Sequence, residues 1–408
     1  MIANHLETGA AIVIFLATYL VIALGRVPGF RLDRAGAALI GASLMVASGV
    51  MTMAEAYRAI DFDTIALLLG MMIVIANLRL SGFFALVGGF VARHARHPMT
   101  LLAAIVLVSG LLSAFLVNDT ICLMLTPLVL ELVVALRRNP LPYLLAIALS
   151  ANIGSAATIT GNPQNIMIGS FSGIPFGAFL AALAPVALAG LAVTLLLIAA
   201  AYRREFWGRQ LLAAESGEIR VNKPLLRKSV AVTVLMVVGF FVVAPPAKVA
   251  MLAGAALLLT RRLKPERIYD EINWSLLLLF AGLFIVVAGL EKTVMTPEAL
   301  AAAAQLRLDR VPVLSAVAAV LSNLVSNVPA VLVLKPFVQH LADQRTAWLT
   351  LAMASTLAGN FTILGSIANL IVVERARRGG VEIGFWTYFR LGAPVTVITI
   401  AIGVWWLS

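Results

Sequence analysis

Long apolar stretches separated by short polar loops dominate the chain. Several of them approach or exceed the roughly 17 to 25 residues that a helix needs to cross a bilayer. This pattern predicts an all-α polytopic membrane protein with about ten transmembrane helices. The predicted spans lie near residues 10–25, 35–51, 63–78, 142–172, 177–201, 229–244, 247–260, 275–290, 347–373 and 393–407.

Two polar tripeptides interrupt further apolar stretches. Asn118-Asp119-Thr120 lies in one of them and Ser326-Asn327-Val328 in the other, and the two asparagines are 209 positions apart. Helix-breaking polar residues within apolar segments are typical of midplane binding sites in secondary transporters. We therefore predict two re-entrant helical hairpins at 100–136 and 312–341, with Asn118, Thr120, Ser326 and Asn327 lining a binding site at their tips.

Two of the predicted spans contain a polar break at mid-depth. Gly161, Asn162 and Pro163 together stop a helix, and the chain begins a new helix with Gln164 and Asn165. A matching break follows near Gly365. These patterns predict two broken helices at 142–172 and 347–373, whose freed backbone groups face the site. The candidate site residues from the breaks are Gly161, Asn162, Gln164, Asn165, Asn360, Thr362, Gly365, Ser366 and Asn369. Helix kinks that serve packing alone are the alternative interpretation.

The two halves of the sequence resemble each other. Four collinear blocks match, at offsets that drift from 213 to 204. They divide the chain into a first repeat at 1–201, a basic cytoplasmic linker at 202–228 and a second repeat at 229–408. If the hairpins re-enter, loops on one side hold 23 of the 30 Lys and Arg residues, which marks that side as cytoplasmic. The repeats are then inverted, and both termini are extracytoplasmic.

Asp119 is the candidate coupling residue. It lies far from any other charge in its apolar stretch, and a carboxylate at membrane depth is costly unless it faces water, a partner or a proton. The alternative is that Asp119 only caps the second helix of the hairpin. Lys335 follows Asn327 by about two turns, and it is a second candidate for proton coupling, for example by pairing with Asp119.

Composition excludes several classes of function. The chain is 62% hydrophobic and 12% charged, with a net charge of +11. The basic residues lie in loops between spans, where topology and anionic lipid require them, so no nucleic-acid partner is expected. Because the chain has one cysteine, Cys122, and four scattered histidines, we expect no metal site, no cofactor and no enzymatic activity. The N-terminus does not match a cleavable signal.

These motifs resemble those of the ion transporter superfamily, which includes arsenite/antimonite permeases, NhaD-type sodium/proton antiporters and divalent anion/sodium symporters. The resemblance runs from about residue 10 to 407. Asn118-Asp119, together with Asn327 and Pro329, is most similar to the arsenite efflux permease branch. The resemblance implies inverted repeats, two hairpins and a site between hairpin tips and broken helices. The dicarboxylate symporters usually have Ser-Asn-Thr at both tips, which this chain lacks.

The expected function is proton-coupled efflux of trivalent metalloid hydroxides, arsenite and antimonite, in which Asp119 carries the proton. The alternatives are a sodium- or proton-coupled carrier of another small inorganic anion or a dicarboxylate, and a sodium/proton antiporter. The expected partners are the small solute, protons and the lipid bilayer of a bacterial-type inner membrane. The resemblance leaves a homodimer and a cytoplasmic arsenite-stimulated ATPase open as further partners.

Overall fold

The protein is described by a computed structural model that covers residues 2–24, 32–207, 221–243, 245–260, 263–294 and 305–408. Within these residues the chain forms 20 α-helices and one 3-10 turn. The predicted fold class, an all-α multi-span membrane protein, is confirmed. Residues 208–220 of the predicted basic linker at 202–228 lie outside the described residues.

The first half of the chain contains eleven of these helices. They are α1 (Ile2–Leu24), α2 (Arg34–Ala47), α3 (Met53–Ala59), α4 (Phe62–Ser81), α5 (Phe83–His94), α6 (Pro98–Phe115), α7 (Asn118–Ala135), α8 (Pro140–Ser155), α9 (Pro163–Ser172), α10 (Phe176–Ala201) and α11 (Arg203–Phe206). The second half continues with α12 (Lys223–Val242), α13 (Pro246–Leu258), α14 (Pro265–Tyr269), α15 (Trp274–Val294), α16 (Val311–Val325), α17 (Asn327–Val338), α18 (Gln344–Ala358), the 3-10 turn Ile363–Gly365, α19 (Ile367–Arg378) and α20 (Phe385–Leu407).

Helix length separates the spans from the shorter elements. Among the described residues eight helices are long and apolar enough to cross a membrane: α1, α4, α6, α7, α10, α12, α15 and α20. The spans predicted at 35–51 and 247–260 are only 14 and 13 residues long as α2 and α13. They are shorter than the roughly 17 residues needed to cross, and each of them packs closely on a longer helix.

The close packing of these short helices is repeated in the two halves. α13 packs against α4, where a Cβ added to Gly70 would lie 2.5 Å from the carbonyl carbon of Ala250. α2 packs against α15, where a Cβ added to Gly282 would lie 2.6 Å from the carbonyl carbon of Ala38. Gly70 and Gly282 are 212 positions apart, and so are Ala38 and Ala250. Each half thus supplies one glycine and one short helix to the other.

Ion pairs join the ends of the two long helices α4 and α15 to the opposite half. Arg79, in the last turn of α4, pairs with Glu271. Lys292, in the last turn of α15, pairs with Glu55 on α3, with 2.8 Å between Nζ and Oε1. The hydrogen bond from Lys292 lowers the pKa of Glu55 to about 2, and the capping hydrogen bonds of Thr52 act in the same direction. Both pairs tie the halves together at helix ends.

Candidate functional site

The tip of the first hairpin lies between α6 and α7. The backbone N–H of Asn118 donates to the carbonyl oxygen of Gly161 at 2.9 Å, which fixes the tip against the first break. The N-cap of α7 is Val117, with no side-chain cap, so the interpretation of Asp119 as a capping residue is wrong. Asp119 lies in the first turn of α7, where the helix dipole favours negative charge. Its carboxyl makes no hydrogen bond or ion pair within the described residues.

The tip of the second hairpin is a single strained residue. Ser326 joins α16 to α17 with φ of 79° and ψ of 158°, a conformation that costs a non-glycine residue about 1 to 3 kcal/mol. Such strain persists where the surrounding structure enforces it, commonly at functional sites. Pro329 lies in the first turn of α17, as its missing N–H allows, and its carbonyl oxygen accepts from the Tyr19 hydroxyl at 3.2 Å.

The first break spans residues 156–162, between α8 and α9. The Asn162 side chain caps α9 by accepting from the Asn165 N–H at 2.9 Å. The Asn165 amide in turn donates to the carbonyl oxygens of Ser155 and Thr158 at 3.2 and 3.0 Å. A Cβ on Gly161 would collide with the carbonyl oxygen of Ser155. Buried carbonyls freed by the end of α8 are thus satisfied by one asparagine.

The second break, residues 359–366, repeats this arrangement. Ser366 caps α19 by accepting from the Ala368 N–H at 3.2 Å. The Asn369 amide donates to the carbonyl oxygens of Gly359 and Thr362 at 2.7 and 3.1 Å. Asn369 lies 204 positions after Asn165, and its two acceptors lie 204 positions after Ser155 and Thr158. The same hydrogen-bonding arrangement of one asparagine therefore stabilises both helix breaks.

Asn152 connects the first hairpin to the second break. Its Oδ1 accepts from Asn118 Nδ2 at 2.8 Å and from Ser366 Oγ at 3.0 Å. Its Nδ2 donates to Asn360 Oδ1 at 2.9 Å and to Asn369 Oδ1 at 3.0 Å. All four hydrogen-bonding positions of this buried amide are used.

Thr356, 204 positions after Asn152, connects the second half to the first break. Its Oγ1 accepts from Asn162 Nδ2 and Gln164 Nε2, both at 3.1 Å, and lies 3.4 Å from Asn165 Oδ1. Both breaks are thus fixed from the opposite half of the chain. Neither can shift without disturbing the other half, because a buried polar group that loses its partner is costly.

The two tips and the two breaks surround a small cavity of about 40 Å³. A water molecule needs roughly 10 to 15 Å³ on this measure, so the cavity suits a solute of a few heavy atoms. The residues that line it include Arg34, Asn118, Asp119, Gln164, Ser326, Asn327 and Ser366. A second cavity, of about 120 Å³, shares Asp119 and Leu276 with the first and also contacts Thr120, Arg79 and Glu271. Asp119 thus lines both cavities, and the second cavity extends to the ion pair between Arg79 and Glu271.

Three of the side chains around the central cavity carry acceptor oxygens that lack a donor. The Oδ1 atoms of Asn118 and Asn327 are buried and accept no hydrogen bond from the described residues. The carboxyl of Asp119 adds two further acceptor oxygens. Arg34, at the start of α2, is the cationic side chain that lines this cavity, and it forms no ion pair with the described residues. The site therefore suits a ligand that donates several hydrogen bonds.

The predicted site residues divide into two groups. Asn118, Asp119, Gln164, Ser326, Asn327 and Ser366 line the central cavity, and Thr120 lines the second cavity. The others lie behind the lining, where several of their side chains hold the breaks: Gly161, Asn162, Asn165, Asn360, Thr362, Gly365 and Asn369.

Lys335 lies outside both cavities. Its Nζ is 3.3 Å from Glu291 Oε1 and 5.2 Å from the centre of the Phe171 ring. The expected pair with Asp119 does not form, because α15 packs against α17 and brings Glu291 closer to the lysine.

Three residues of the site were not among those predicted from the sequence. Asn152 lies in the polar run before the first break, but its role depends on partners more than 200 positions away. Thr356 is its counterpart at the offset of 204, so the repeat itself contained the signal. Arg34 lies at the end of a loop that the charge pattern predicts to be cytoplasmic, and no local pattern relates it to the hairpin tips.

A family model described as citrate transporter (CitMHS) matches residues 19–358. The chain belongs to this family of the ion transporter superfamily. It is 33% identical to an uncharacterized transporter of Mycobacterium tuberculosis, over 97% of both chains. It is also 32% identical to the silicon efflux transporter LSI3 of Oryza sativa subsp. japonica, over 93% of both chains. The putative transporter arsB of Dictyostelium discoideum is 25% identical, over 91% of this chain and 87% of that protein.

The fold is similar to the crystal structure of the Alcanivorax borkumensis YdaH transporter. The TM-score is 0.61 over 99% of this chain and 97% of that chain, with 13% sequence identity. This similarity concerns the fold, whereas membership of the family above shows that the chain is a multi-pass membrane transporter and not an enzyme.

Proposed function

We propose that this transporter expels small neutral hydroxides, arsenite and antimonite above all, in exchange for protons. The observation that carries the proposal is the set of acceptors around the central cavity: Asn118 Oδ1, Asn327 Oδ1 and the Asp119 carboxyl. Arsenous acid near neutral pH is a neutral triol, so it donates hydrogen bonds through each of its hydroxyl groups. Each buried acceptor left unsatisfied costs about 1 to 3 kcal/mol, and a triol in the cavity removes that cost.

The size of the cavity and the relatives support the same substrate class. About 40 Å³ suits a hydroxide with a single central atom better than a tricarboxylate such as citrate. One of the relatives, LSI3, is named as a silicon efflux transporter. Silicic acid, like arsenous acid, is a neutral hydroxide near neutral pH. A neutral hydroxide of this kind needs few cationic side chains, and Arg34 is the cationic side chain that lines the central cavity.

Asp119 supplies the coupling in this proposal. Its ionised carboxyl accepts hydrogen bonds from the solute, whereas the protonated carboxyl is neutral and donates one. Because the same oxygens bind the proton or the solute, occupancy by one disfavours the other. Release of the proton to the cytoplasm then prepares the site for the solute, which leaves on the other side. The second cavity, which shares Asp119 and reaches Arg79 and Glu271, provides the path toward the predicted cytoplasmic face.

Alternating access through inverted repeats is part of the proposal. Gly70 contacts the second half in the same way as Gly282 contacts the first. Asn152 likewise binds the second break as Thr356 binds the first. These equivalent contacts support a two-fold relation between the halves. In this arrangement the first hairpin enters from the cytoplasm and the second from outside, and both termini are extracytoplasmic. A single site between the hairpins then faces one side at a time.

The test is proton-driven uptake of arsenite into everted membrane vesicles. Asp119→Asn keeps the size of the side chain but removes the proton carrier, so we expect uptake to fall to the level of vesicles without the protein. Glu131→Gln is the matched control, because Glu131 is on the same helix, is exposed and lies outside both cavities; we expect full activity. Binding of arsenite, measured as a thermal shift on the purified variants, separates loss of coupling from loss of folding. Full uptake by Asp119→Asn would contradict the coupling role.

A sodium-coupled carrier of a small anion is the second candidate, and Arg34 is the observation that favours it. A guanidinium in the lining attracts an anion, and the unpaired amide oxygens suit a cation as well as a hydroxyl donor. This function predicts uptake driven by a sodium gradient in the absence of a proton gradient. It also predicts that Arg34→Gln abolishes transport, whereas transport of a neutral hydroxide tolerates this change.

A further inference from the structure

An apolar groove of about 390 Å³ opens on the surface between α6 and α12. Leu112 and Phe115 of α6 form one wall, Val230, Val234 and Val237 of α12 form the other, and Leu78 of α4 contributes at the base. Its volume accommodates a chain of several methylene groups, and its lining is almost entirely apolar.

The one polar side chain of the groove is already satisfied. Thr233 donates its hydroxyl to the carbonyl oxygen of Ser229 at 2.8 Å. A ligand in the groove therefore finds no free side-chain donor from this threonine. An apolar chain is the ligand that this surface accepts, because a polar group placed there would lose its hydrogen bonds to water.

Two basic residues of α12 lie on the same helix face as the groove, one to two turns before it. Val230, Val234 and Val237 follow the spacing of one helix face, and the same spacing backward from Val230 reaches Arg227 and Lys223. Both basic side chains are exposed. Lys228, the neighbouring base, is held elsewhere by a hydrogen bond to the carbonyl oxygen of Leu259.

The charged end of α12 lies beside the base of the groove. The backbone N–H of Asn222, which caps α12, donates to the carbonyl oxygen of Ser81 at 3.1 Å. Ser81 is the last residue of α4, one turn after Leu78. Lys223 and Arg227 therefore lie near the end of α4, beside the part of the groove that Leu78 lines. The apolar walls extend from there toward the tip of the first hairpin.

We propose that this groove binds one anionic phospholipid, with an acyl chain between α6 and α12 and the phosphate at Arg227 and Lys223. The apolar walls suit the acyl chain. The guanidinium of Arg227 and the ammonium of Lys223 suit the anionic headgroup. The bound chain contacts Phe115, three residues before Asn118, so the lipid lies directly behind the first hairpin. This site is separate from the central cavity, and it does not depend on which solute is transported.

The test uses the full chain in nanodiscs of phosphatidylcholine that contain a phosphatidylglycerol with a photoactivatable diazirine on its acyl chain. We expect covalent labels, mapped by mass spectrometry, on residues 111–116 and 230–238. Unlabelled phosphatidylglycerol displaces the probe, whereas the same amount of phosphatidylcholine does not. Each basic residue near an anionic lipid contributes a preference of about five-fold, so Arg227→Gln reduces the preference by about that factor. Lys248→Gln, an exposed base outside the groove, leaves it unchanged.

Two tryptophan variants separate the groove from the general lipid surface. Val234→Trp fills the groove and abolishes labelling, whereas Leu235→Trp, at the next position of α12, is exposed but outside the lining and preserves it. Circular dichroism on each variant checks that the overall helix content is unchanged. Labels spread evenly around α12, equal displacement by phosphatidylcholine, or the same labelling in both tryptophan variants would overturn the proposal. Loss of labelling caused by a dimer interface, seen as a dimer by native mass spectrometry, would overturn it as well.

Discussion

Replacement of Asn152 by alanine tests whether the central amide network holds the site together. The change removes four hydrogen bonds at once, those to Asn118, Asn360, Ser366 and Asn369. Each partner is buried, and a buried polar group left without a partner costs about 1 to 3 kcal/mol. The expected destabilisation is therefore at least about 4 kcal/mol, a large part of the total stability of about 5 to 15 kcal/mol that is typical of folded proteins.

The chain offers matched controls for this variant. Ser150 is on the same helix and fully buried, and its hydroxyl makes no hydrogen bond within the described residues. Ser150→Ala should therefore be neutral or slightly stabilising. Asn152→Leu fills the space of the amide without restoring its hydrogen bonds, so it should be about as harmful as alanine. If the leucine variant recovers most of the loss, a cavity rather than the network is responsible.

The assay is reversible unfolding of the purified protein in mixed detergent micelles, with arsenite binding measured in parallel. Because Asn152 joins the first hairpin tip to the second break, we expect Asn152→Ala to weaken arsenite binding by more than its effect on overall stability predicts. Thr356→Ala, the equivalent change in the other half, should be milder, since Asn162 keeps a hydrogen bond to Ser155 Oγ at 3.0 Å. A free energy of unfolding for Asn152→Ala within about 1 kcal/mol of that for Ser150→Ala would refute the reasoning.

Two further predictions concern the frame around the site. Gly70→Ala places a Cβ 2.5 Å from the carbonyl carbon of Ala250 and should destabilise the protein by about 1 to 3 kcal/mol. The control is Gly88→Ala, whose nearest neighbours are 3.9 Å or more away, and it should be neutral or stabilising by up to about 1 kcal/mol. The same unfolding assay compares the two variants. The pKa of Glu55 is lowered from 4.5 to about 2 by its hydrogen bond with Lys292, so the stabilisation from this pair is complete above about pH 4.5 and is lost as the pH falls toward 2. The difference in unfolding temperature between the wild type and Glu55→Gln should thus be constant from about pH 8 to 5 and shrink below that; a difference that changes between pH 8 and 5 would contradict the assignment.

Local features of the sequence were sufficient to predict the types of element and the positions of their interruptions. Apolar length predicts the long helices, and the Gly161-Asn162-Pro163 run predicts a break that the structure places at 156–162. Each depends on the conformations and hydrogen bonds of neighbouring residues, which the sequence specifies directly. The capping role considered for Asp119 was wrong because a cap depends on the backbone geometry of one residue, and Val117 occupies that position.

By itself the sequence determined that this protein is a helical membrane protein with two polar tips and two polar breaks, because bilayer thickness and helix-breaking residues act locally. The tertiary structure alone decided which of those polar residues face a cavity and which hold the backbone. It brought Asn152 to the second break, Thr356 to the first and Arg34 to the lining, and it paired Lys335 with Glu291 rather than with Asp119. These contacts join residues distant in sequence, and their geometry is set by the packing of whole helices, which no local pattern records.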